Sequence, residues 1–97
     1  LKGKVQVIYD KELFPHVFAE NDEDLYFMQG YVTAMNRLWQ MEFQTHAAAG
    51  RVSEIVGPIA IELDRTNRRK GLPVAAERAV AEMLKDPVSN MVVQQYT

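Results

Sequence analysis

Two histidines and a group of carboxylates are the side chains with which this chain could perform acid–base chemistry. His46 follows Glu42 by four residues, so a helix would place both side chains on one face. A histidine oriented by a carboxylate can act as a general base, but no serine here has the sequence context of a nucleophile elbow. The Glu42 and His46 spacing therefore predicts a packing and hydrogen-bonding pair. His16, directly after Pro15, is expected to lie at a strand end, hydrogen-bonded to a neighbour.

Three consecutive carboxylates, Asp22, Glu23 and Asp24, could bind a divalent cation. Successive side chains at the start of a helix point in different directions, however, and negative charge there complements the helix dipole. We therefore expect helix capping, with Asn21 as the cap residue. The chain has no cysteine, which excludes a disulfide, a thiolate metal site and a cysteine nucleophile within it.

One basic cluster follows later in the chain and could contact phosphates. It contains Arg65, Arg68, Arg69 and Lys70. Glu62 and Asp64 lie close by in sequence, and aromatic residues that stack on bases are absent from the segment. A solvated or salt-bridged helix face is the favoured interpretation, with Asp64 and Arg68 at the i,i+4 spacing of an ion pair. The net charge of -2 likewise gives no general attraction to nucleic acid or to an anionic membrane.

A long helix must position these groups, because residues 30–57 form a nearly all-round apolar segment carrying polar side chains at fixed points. The large side chains at helical spacing, expected in a core in preference to a ligand pocket, are Phe27, Tyr31, Met35 and Trp39. The polar stripe of this helix is expected to bridge to neighbouring elements; it consists of Gln29, Thr33, Asn36, Arg37, Gln40 and Gln44. Arg37 and Glu42 are expected to need partners as buried charges. A chain of 97 residues cannot cover such a helix alone, so we expect a larger partner surface.

Around this helix the pattern predicts an α+β fold in which helices dominate. Alternation at Val5, Val7 and Tyr9 predicts a strand, and a turn over residues 10–15 and a second strand over residues 16–19 complete a hairpin. Gly50 is expected to end the long helix. Further helices are expected over residues 54–56, from Pro73 to about Asp86, and after Asp86.

Residues 1–97 are expected to form a single fragment without a domain boundary, and the C-terminal end looks like a cut within a domain. The apolar runs are too short to span a bilayer, and the N-terminus lacks the apolar core of a signal peptide.

Four segments occur in an order and at spacings that resemble the N-terminal part of the α chain in the penicillin acylase family. They are GKVQVIYD, PHVFAENDEDLYFMQGYVTAMNRLWQME, AAAGRVSEIVG and LDRTNRRKGL, and they cover roughly residues 3 to 80. Two departures stand out. The usual loop DEYGVPH has a glycine where this chain reads DKELFPH, which is expected to change the turn before Pro15. The usual AQDRL reads AMNRL here, so Asn36 removes a charge beside Arg37.

The resemblance implies a hydrolase of linear amides with an N-terminal nucleophile, built as a four-layer αββα sandwich. Such proteins cut themselves from a precursor into an α chain and a larger β chain, whose first residue is the nucleophile. It implies an N-acyl amide substrate, either a β-lactam antibiotic with an acyl side chain or an acyl homoserine lactone, and location in the periplasm or outside the cell. It also allows calcium in the whole enzyme, bound outside this chain. No catalytic, cofactor-binding or metal residue is carried over to residues 1–97, so this chain alone should be inactive.

The alternative is a non-enzymatic helical module whose apolar helix docks in a groove of another protein. Such a module should fold alone or bind a partner without hydrolase activity. The hairpin and the excess of apolar residues favour the enzyme subunit.

Overall fold

The computed structural model describes all 97 residues, with a β-hairpin at the N-terminus followed by helices, as the sequence predicts. The strands are β1 (Val5–Tyr9) and β2 (Pro15–Ala19), and the helices are α1 (Asp22–Ala49), α2 (Ser53–Val56), α3 (Ile61–Arg69), α4 (Leu72–Met83) and α5 (Pro87–Tyr96). A short 3-10 helix, Pro58–Ala60, precedes α3. The chain forms two compact units, one of Leu1–Asn36 with Met83–Thr97 and the other of Arg37–Glu82.

The two strands pair antiparallel, with Val7 opposite Val17 and Ile8 opposite His16. Val7 and Val17 are half-buried on one face, whereas Ile8 and His16 are exposed on the other. This alternation is the one expected for a strand with one covered face. The exception is Tyr9, which is exposed although it shares parity with Val7.

The hairpin turn is held by Asp10, whose Oδ1 accepts hydrogen bonds from the amides of Glu12 and Phe14, each at 2.9 Å. Leu13 has a φ of 66°, in the left-handed region that favours glycine. It stands at the position where the usual loop of the resembling proteins has its glycine. The chain therefore keeps a glycine-type conformation at a leucine, which costs about 1–2 kcal/mol of backbone strain.

Helix α1 is capped as predicted, because Asn21 Oδ1 accepts a hydrogen bond from the amide of Asp24 at 2.8 Å. Its regular geometry is interrupted at Arg37, where φ is -137° and ψ is 20°. Just before the break, Thr33 Oγ1 and Asn36 Nδ2 bond to carbonyls one turn back, at 2.7 and 2.8 Å. Side chains that bond to these carbonyls bend helices. The expectation that this polar stripe bridges to other elements is therefore wrong for Thr33 and Asn36.

Few apolar side chains are buried within the chain: Val32, Val52 and Ala60. The side chains expected in the core are exposed in their respective units, to 57% for Tyr31, 60% for Met35 and 64% for Trp39, with Phe27 at 41%. That expectation is wrong for this chain, because 97 residues supply too little polypeptide to cover the helix.

The two charged side chains that the sequence placed in a buried environment, Arg37 and Glu42, are also exposed. Their expected burial is therefore wrong for residues 1–97. Since both charges remain in solvent, neither needs a buried partner within this chain.

Glycine and proline set the ends of the remaining helices. Gly50, with a φ of 68°, ends α1, and Gly71, with a φ of 67°, separates α3 from α4. Asp86 caps α5 by accepting a hydrogen bond from the amide of Ser89 at 2.8 Å, which confirms the start predicted there. None of the helices combines the length and hydrophobicity needed to cross a membrane.

Candidate functional site

Glu42 and His46 form the predicted pair, and their neighbours indicate a role in packing and hydrogen bonding. His46 Nδ1 lies 3.0 Å from the carbonyl oxygen of Glu42 and 3.3 Å from its Oε1. Its Nε2 faces Glu54 Oε2 at 3.9 Å. Arg51 binds Glu54 through two hydrogen bonds of 2.9 and 2.8 Å, which lower the pKa of the Glu54 carboxyl. His46 therefore lies between a carboxylate of α1 and a carboxylate of α2.

His16 also has the neighbour that the sequence predicted. Its Nε2 lies 3.1 Å from Asp10 Oδ2, and both side chains are well exposed. The backbone hydrogen bond from Phe14 lowers the pKa of the Asp10 carboxyl, and the hydrogen bond with His16 lowers it further. Asp10 and His16 thus stabilise the hairpin turn.

Asp24 is a buried carboxylate whose role the sequence did not reveal. It is 3% exposed, and its oxygens accept hydrogen bonds from the backbone amides of Lys2 at 2.9 Å and Gly3 at 2.7 Å. Asn21 Nδ2 donates a further bond at 2.9 Å. These bonds, led by the one from Lys2, outweigh desolvation and hold the pKa of Asp24 below its ordinary value. Asp24 ties the N-terminal segment to the first turn of α1, in addition to the capping expected there.

A second buried carboxylate, Asp64, is 5% exposed and lies in the other unit. It accepts hydrogen bonds from the amides of Val52 and Ser53, each at 2.8 Å, and from the Ser53 hydroxyl at 2.5 Å. Burial opposes ionisation of Asp64, but the hydrogen bonds from Ser53 and Val52 and the charge of Arg68 prevail and lower its pKa.

The expected ion pair of Asp64 with Arg68 is replaced by bonds to the backbone. Arg68 Nε donates to the carbonyl oxygen of Gly50 at 2.9 Å, and Asn67 Nδ2 donates to that of Ala47 at 2.8 Å. Both carbonyls lie at the C-terminal end of α1, where helix carbonyls run out of i+4 donors; that of Ala47 also accepts from the amide of Gly50 at 3.2 Å. Helix α3 therefore holds the end of α1 with Asn67 and Arg68, and the start of α2 with Asp64.

The rest of the basic cluster behaves as a solvated, salt-bridged face. Arg65 pairs with Glu62 at 2.6 Å, and Lys70 Nζ lies 3.3 Å from Asn67 Oδ1. The prediction is confirmed for Arg65, whose side chain stays 63% exposed. An exposed pair of this kind contributes little to stability.

The carboxylates at the start of α1 do not form a cation site. Glu23 pairs with Lys2 Nζ, while Asp24 points at backbone amides, so the two groups serve separate donors. No three His, Cys, Asp or Glu side chains come together with the geometry of a metal site. Asp24 and Asp64 direct most of their acceptor sites at N–H and O–H donors, and neither belongs to a group of three possible metal ligands.

Several large apolar side chains of this chain are exposed. In the first unit, Phe27 and Tyr31 of α1 line an open cleft together with Tyr96 of α5. In the second unit, Trp39 contacts Phe43 with ring centroids 6.2 Å apart, yet it remains 64% exposed. Large apolar side chains exposed in this way are typical of protein interfaces, membrane contacts or ligand-binding grooves. The buried carboxylates Asp24 and Asp64 and the two histidines, by contrast, make hydrogen bonds or ion contacts within their own units.

The chain is similar in sequence to known proteins. The sequence model of the family described as Penicillin amidase matches residues 4–97. Penicillin G acylase of Escherichia coli is 29% identical over 87 residues, which are 90% of this chain and 10% of that protein. The penicillin acylase 2 proenzyme of a Pseudomonas species is 37% identical over 78 residues, 80% of this chain and 10% of the proenzyme.

A further relative and a solved structure are also similar to this chain. Acyl-homoserine lactone acylase QuiP of Pseudomonas aeruginosa is 48% identical over 54 residues, 56% of this chain and 6% of that protein. The structure of a thermostable penicillin G acylase from Alcaligenes faecalis superposes with a TM-score of 0.80 at 26% identity, covering 99% of this chain and 50% of that one. The present chain thus spans about a tenth of the curated relatives that it matches. With a family match across nearly its whole length and the same fold, the chain belongs to the penicillin amidase family.

Proposed function

We propose that this chain is the N-terminal part of the α chain of an amidohydrolase that cleaves a linear amide. Its substrate would be a β-lactam antibiotic with an acyl side chain or an N-acyl homoserine lactone. The nucleophile would begin a separate β chain cut from the same precursor. The observation that carries the proposal is the family match over residues 4–97. The large apolar side chains left exposed by residues 1–97 support it, since a β chain would cover them.

In this mechanism one residue would be both the nucleophile and the base. The side-chain hydroxyl or thiol of the first β-chain residue attacks the carbonyl carbon of the amide, and its own α-amino group accepts the proton. An α-amine titrates near pH 8, so it can serve as a base without a histidine. The oxyanion is held by hydrogen-bond donors of the β chain. The amine product then departs with a proton, and water hydrolyses the acyl-enzyme ester or thioester.

The role of residues 1–97 in this scheme is to pack against the β chain and to keep the helices that do so in place. Asp24 fixes the N-terminal segment on α1, and Asp64 fixes the connection between α1 and α2. Both act within their own unit through buried hydrogen bonds. Substitution at either position should therefore reduce the yield of mature enzyme more than the turnover of the enzyme that does mature.

Two attributes of the whole enzyme belong to the same proposal. Any structural calcium would be bound by residues outside this chain, as the family resemblance implies; within residues 1–97 no group of three possible ligands supports a site. The location would be the periplasm or the medium, which a chain without cysteine tolerates. Cell fractionation with the mature protein would test the location, and elemental analysis of the purified enzyme would test the calcium.

The decisive experiment is intact mass measurement and N-terminal sequencing of every polypeptide that co-purifies with this chain under native conditions. We expect a stoichiometric, larger chain that begins with Ser, Thr or Cys. Recovery of this chain alone, folded and monomeric, would contradict the subunit proposal and favour the helical interaction module.

A matched pair of variants separates the chemistry from the scaffold. Replacing the first β-chain residue by alanine should abolish hydrolysis of N-acyl amides. His16→Gln, at an exposed side chain that the scheme does not use, should leave hydrolysis unchanged. A loss of hydrolysis in the His16 variant, with normal folding, would count against an α-amine base.

A further inference from the structure

The tip of the β-hairpin, formed by Leu13 and Phe14, combines two unfavourable features. Leu13 is 77% exposed and Phe14 is 60% exposed, so two adjacent large apolar side chains stand in solvent. Leu13 also has a φ of 66°, a conformation that L side chains disfavour. Strain of this kind persists where the surroundings hold it, and it is concentrated at functional positions.

The turn itself does not require a leucine. The amide of Leu13 donates to the Asp10 carbonyl oxygen at 3.1 Å, and the amide of Asp10 donates to the Phe14 carbonyl oxygen at the same distance. Asp10 Oδ1 accepts from the Phe14 amide at 2.9 Å. At position 13 these bonds use backbone atoms only, so glycine or asparagine would preserve them with less strain. Within residues 1–97, the leucine side chain therefore contributes no contact that explains its presence.

The exposed apolar surface continues from the tip along the hairpin. Phe14 shares its parity with Phe18, which is 58% exposed, and Ile8 on the facing strand is 46% exposed. The opposite face carries the half-buried Val7 and Val17. The hairpin thus has one half-buried face and one exposed face, on which the apolar Ile8 and Phe18 lie opposite the polar His16 and Gln6.

We propose that the hairpin tip is an interaction surface, and that its occupant is an apolar surface of the same protein's polypeptide outside residues 1–97. The chain spans about a tenth of the curated relatives that it matches, so most of the polypeptide that could cover the tip lies outside these residues. A leucine buried by that polypeptide gains more free energy than its left-handed backbone costs. The proposal rests on the proposed function only in placing a larger polypeptide beside this chain.

A docked tip and an exposed tip predict changes of opposite sign in the unfolding midpoint of the whole protein. Leu13→Asn keeps a residue that tolerates a positive φ and removes the apolar side chain. A docked tip predicts a lower unfolding midpoint for Leu13→Asn, and also for Leu13→Gly, because an apolar contact is lost. An exposed tip predicts a higher midpoint for Leu13→Asn, because strain is relieved, and that result would overturn the proposal. Lys11→Ala, at an exposed residue of the same turn, should leave the midpoint unchanged.

A photoreactive phenylalanine analogue at position 13 of the whole protein identifies the occupant directly. We expect irradiation to join position 13 to a peptide of the same protein outside residues 1–97, located by mass spectrometry. Cross-links only to a different protein or to a second copy, or no cross-link at all, would overturn the proposal. Amidase activity and the masses of the processed chains are measured on the same preparation. Absence of amidase activity with an intact cross-link would reject the proposed function and leave the docked tip standing.

Discussion

The carboxylate of Asp64 lies 2.8 Å from the backbone amide nitrogen of Val52, twelve residues earlier in the chain. Val52 precedes α2, and it provides no side-chain cap for that helix. The amides at the start of a helix have no partner within it, and here Asp64 accepts from both Val52 and Ser53. A side chain of α3 therefore caps α2 from a distance, with a negative charge at the positive end of the helix.

Asp64→Asn should lower the unfolding midpoint of the whole protein by several degrees. The asparagine keeps one oxygen acceptor but turns an NH₂ group, which is a donor, towards amides that also donate. Thermal unfolding followed by circular dichroism measures the change. Glu62→Gln on the same helix is the control, because Glu62 is 81% exposed and its loss should have little effect. Equal midpoints for the two variants would show that Asp64 does not cap α2.

Acid should destabilise the protein through Asp24 and Asp64, since both have a pKa below the ordinary value of 3.8. A carboxyl with a lowered pKa in the folded state contributes stability above its unfolded pKa, and this contribution is lost as the pH falls through the folded value. Unfolding midpoints measured from pH 7 downwards should therefore fall most steeply below about pH 4. The double variant Asp24→Asn with Asp64→Asn should start lower and show a shallower decline. Parallel pH profiles for the variant and the wild type would contradict this assignment.

Elements whose signals are local could be predicted from the sequence. The hairpin follows from alternation over a few residues, and the cap at Asn21 and the stop at Gly50 each depend on one residue and its neighbours. The start of α5 at Asp86 is of the same kind. These features could be predicted because each signal lies in a few consecutive residues, even where the pairing itself joins residues as far apart as Val5 and Ala19.

Features that depend on distant partners were not predictable. Asp24 accepts hydrogen bonds from amides 22 and 21 residues away, and Asp64 accepts one from an amide 12 residues away. Local helix spacing does not show these partners, so it suggested helix capping for Asp24 and an ion pair for Asp64. Backbone amides prevailed because a buried N–H group without a partner costs more than an exposed ion pair provides. The burial expected for Tyr31 and Trp39 failed for another reason. Periodicity shows which side chains need cover, but not which polypeptide supplies it.

Gly50→Ala should be far more destabilising than Gly71→Ala, although both glycines have nearly the same positive φ. A methyl group at Gly50 would lie 2.5 Å from Arg68 Cγ and 2.7 Å from the carbonyl oxygen of Asp64, whereas nothing lies within 4 Å at Gly71. We expect a loss of about 1 kcal/mol at Gly71 from the backbone conformation alone. At Gly50 overpacking adds to this, for a total of about 3 kcal/mol or more.

Chemical denaturation of the whole protein carrying each substitution measures the two losses. The Gly71 variant is the matched control, because it isolates the cost of a positive φ from the cost of close packing. Similar losses for the two variants would mean that α3 does not approach the end of α1 as closely as the hydrogen bond from Arg68 to Gly50 implies.

Gly30→Ala tests the packing of α5 on α1, because we expect this substitution to destabilise the protein although alanine normally stabilises a helix relative to glycine. Alanine in place of glycine within a helix normally stabilises it by about 1 kcal/mol. At Gly30, however, the added methyl carbon would lie 2.2 Å from the backbone carbonyl oxygen of Tyr96, which a flexible side-chain movement cannot relieve. We expect a net loss of about 1–3 kcal/mol from overpacking. Gln29→Ala, at the neighbouring exposed position, should change stability by less than about 0.5 kcal/mol. A Gly30→Ala protein that is more stable than the wild type would show that helix propensity prevails and that α5 is free to move away from α1.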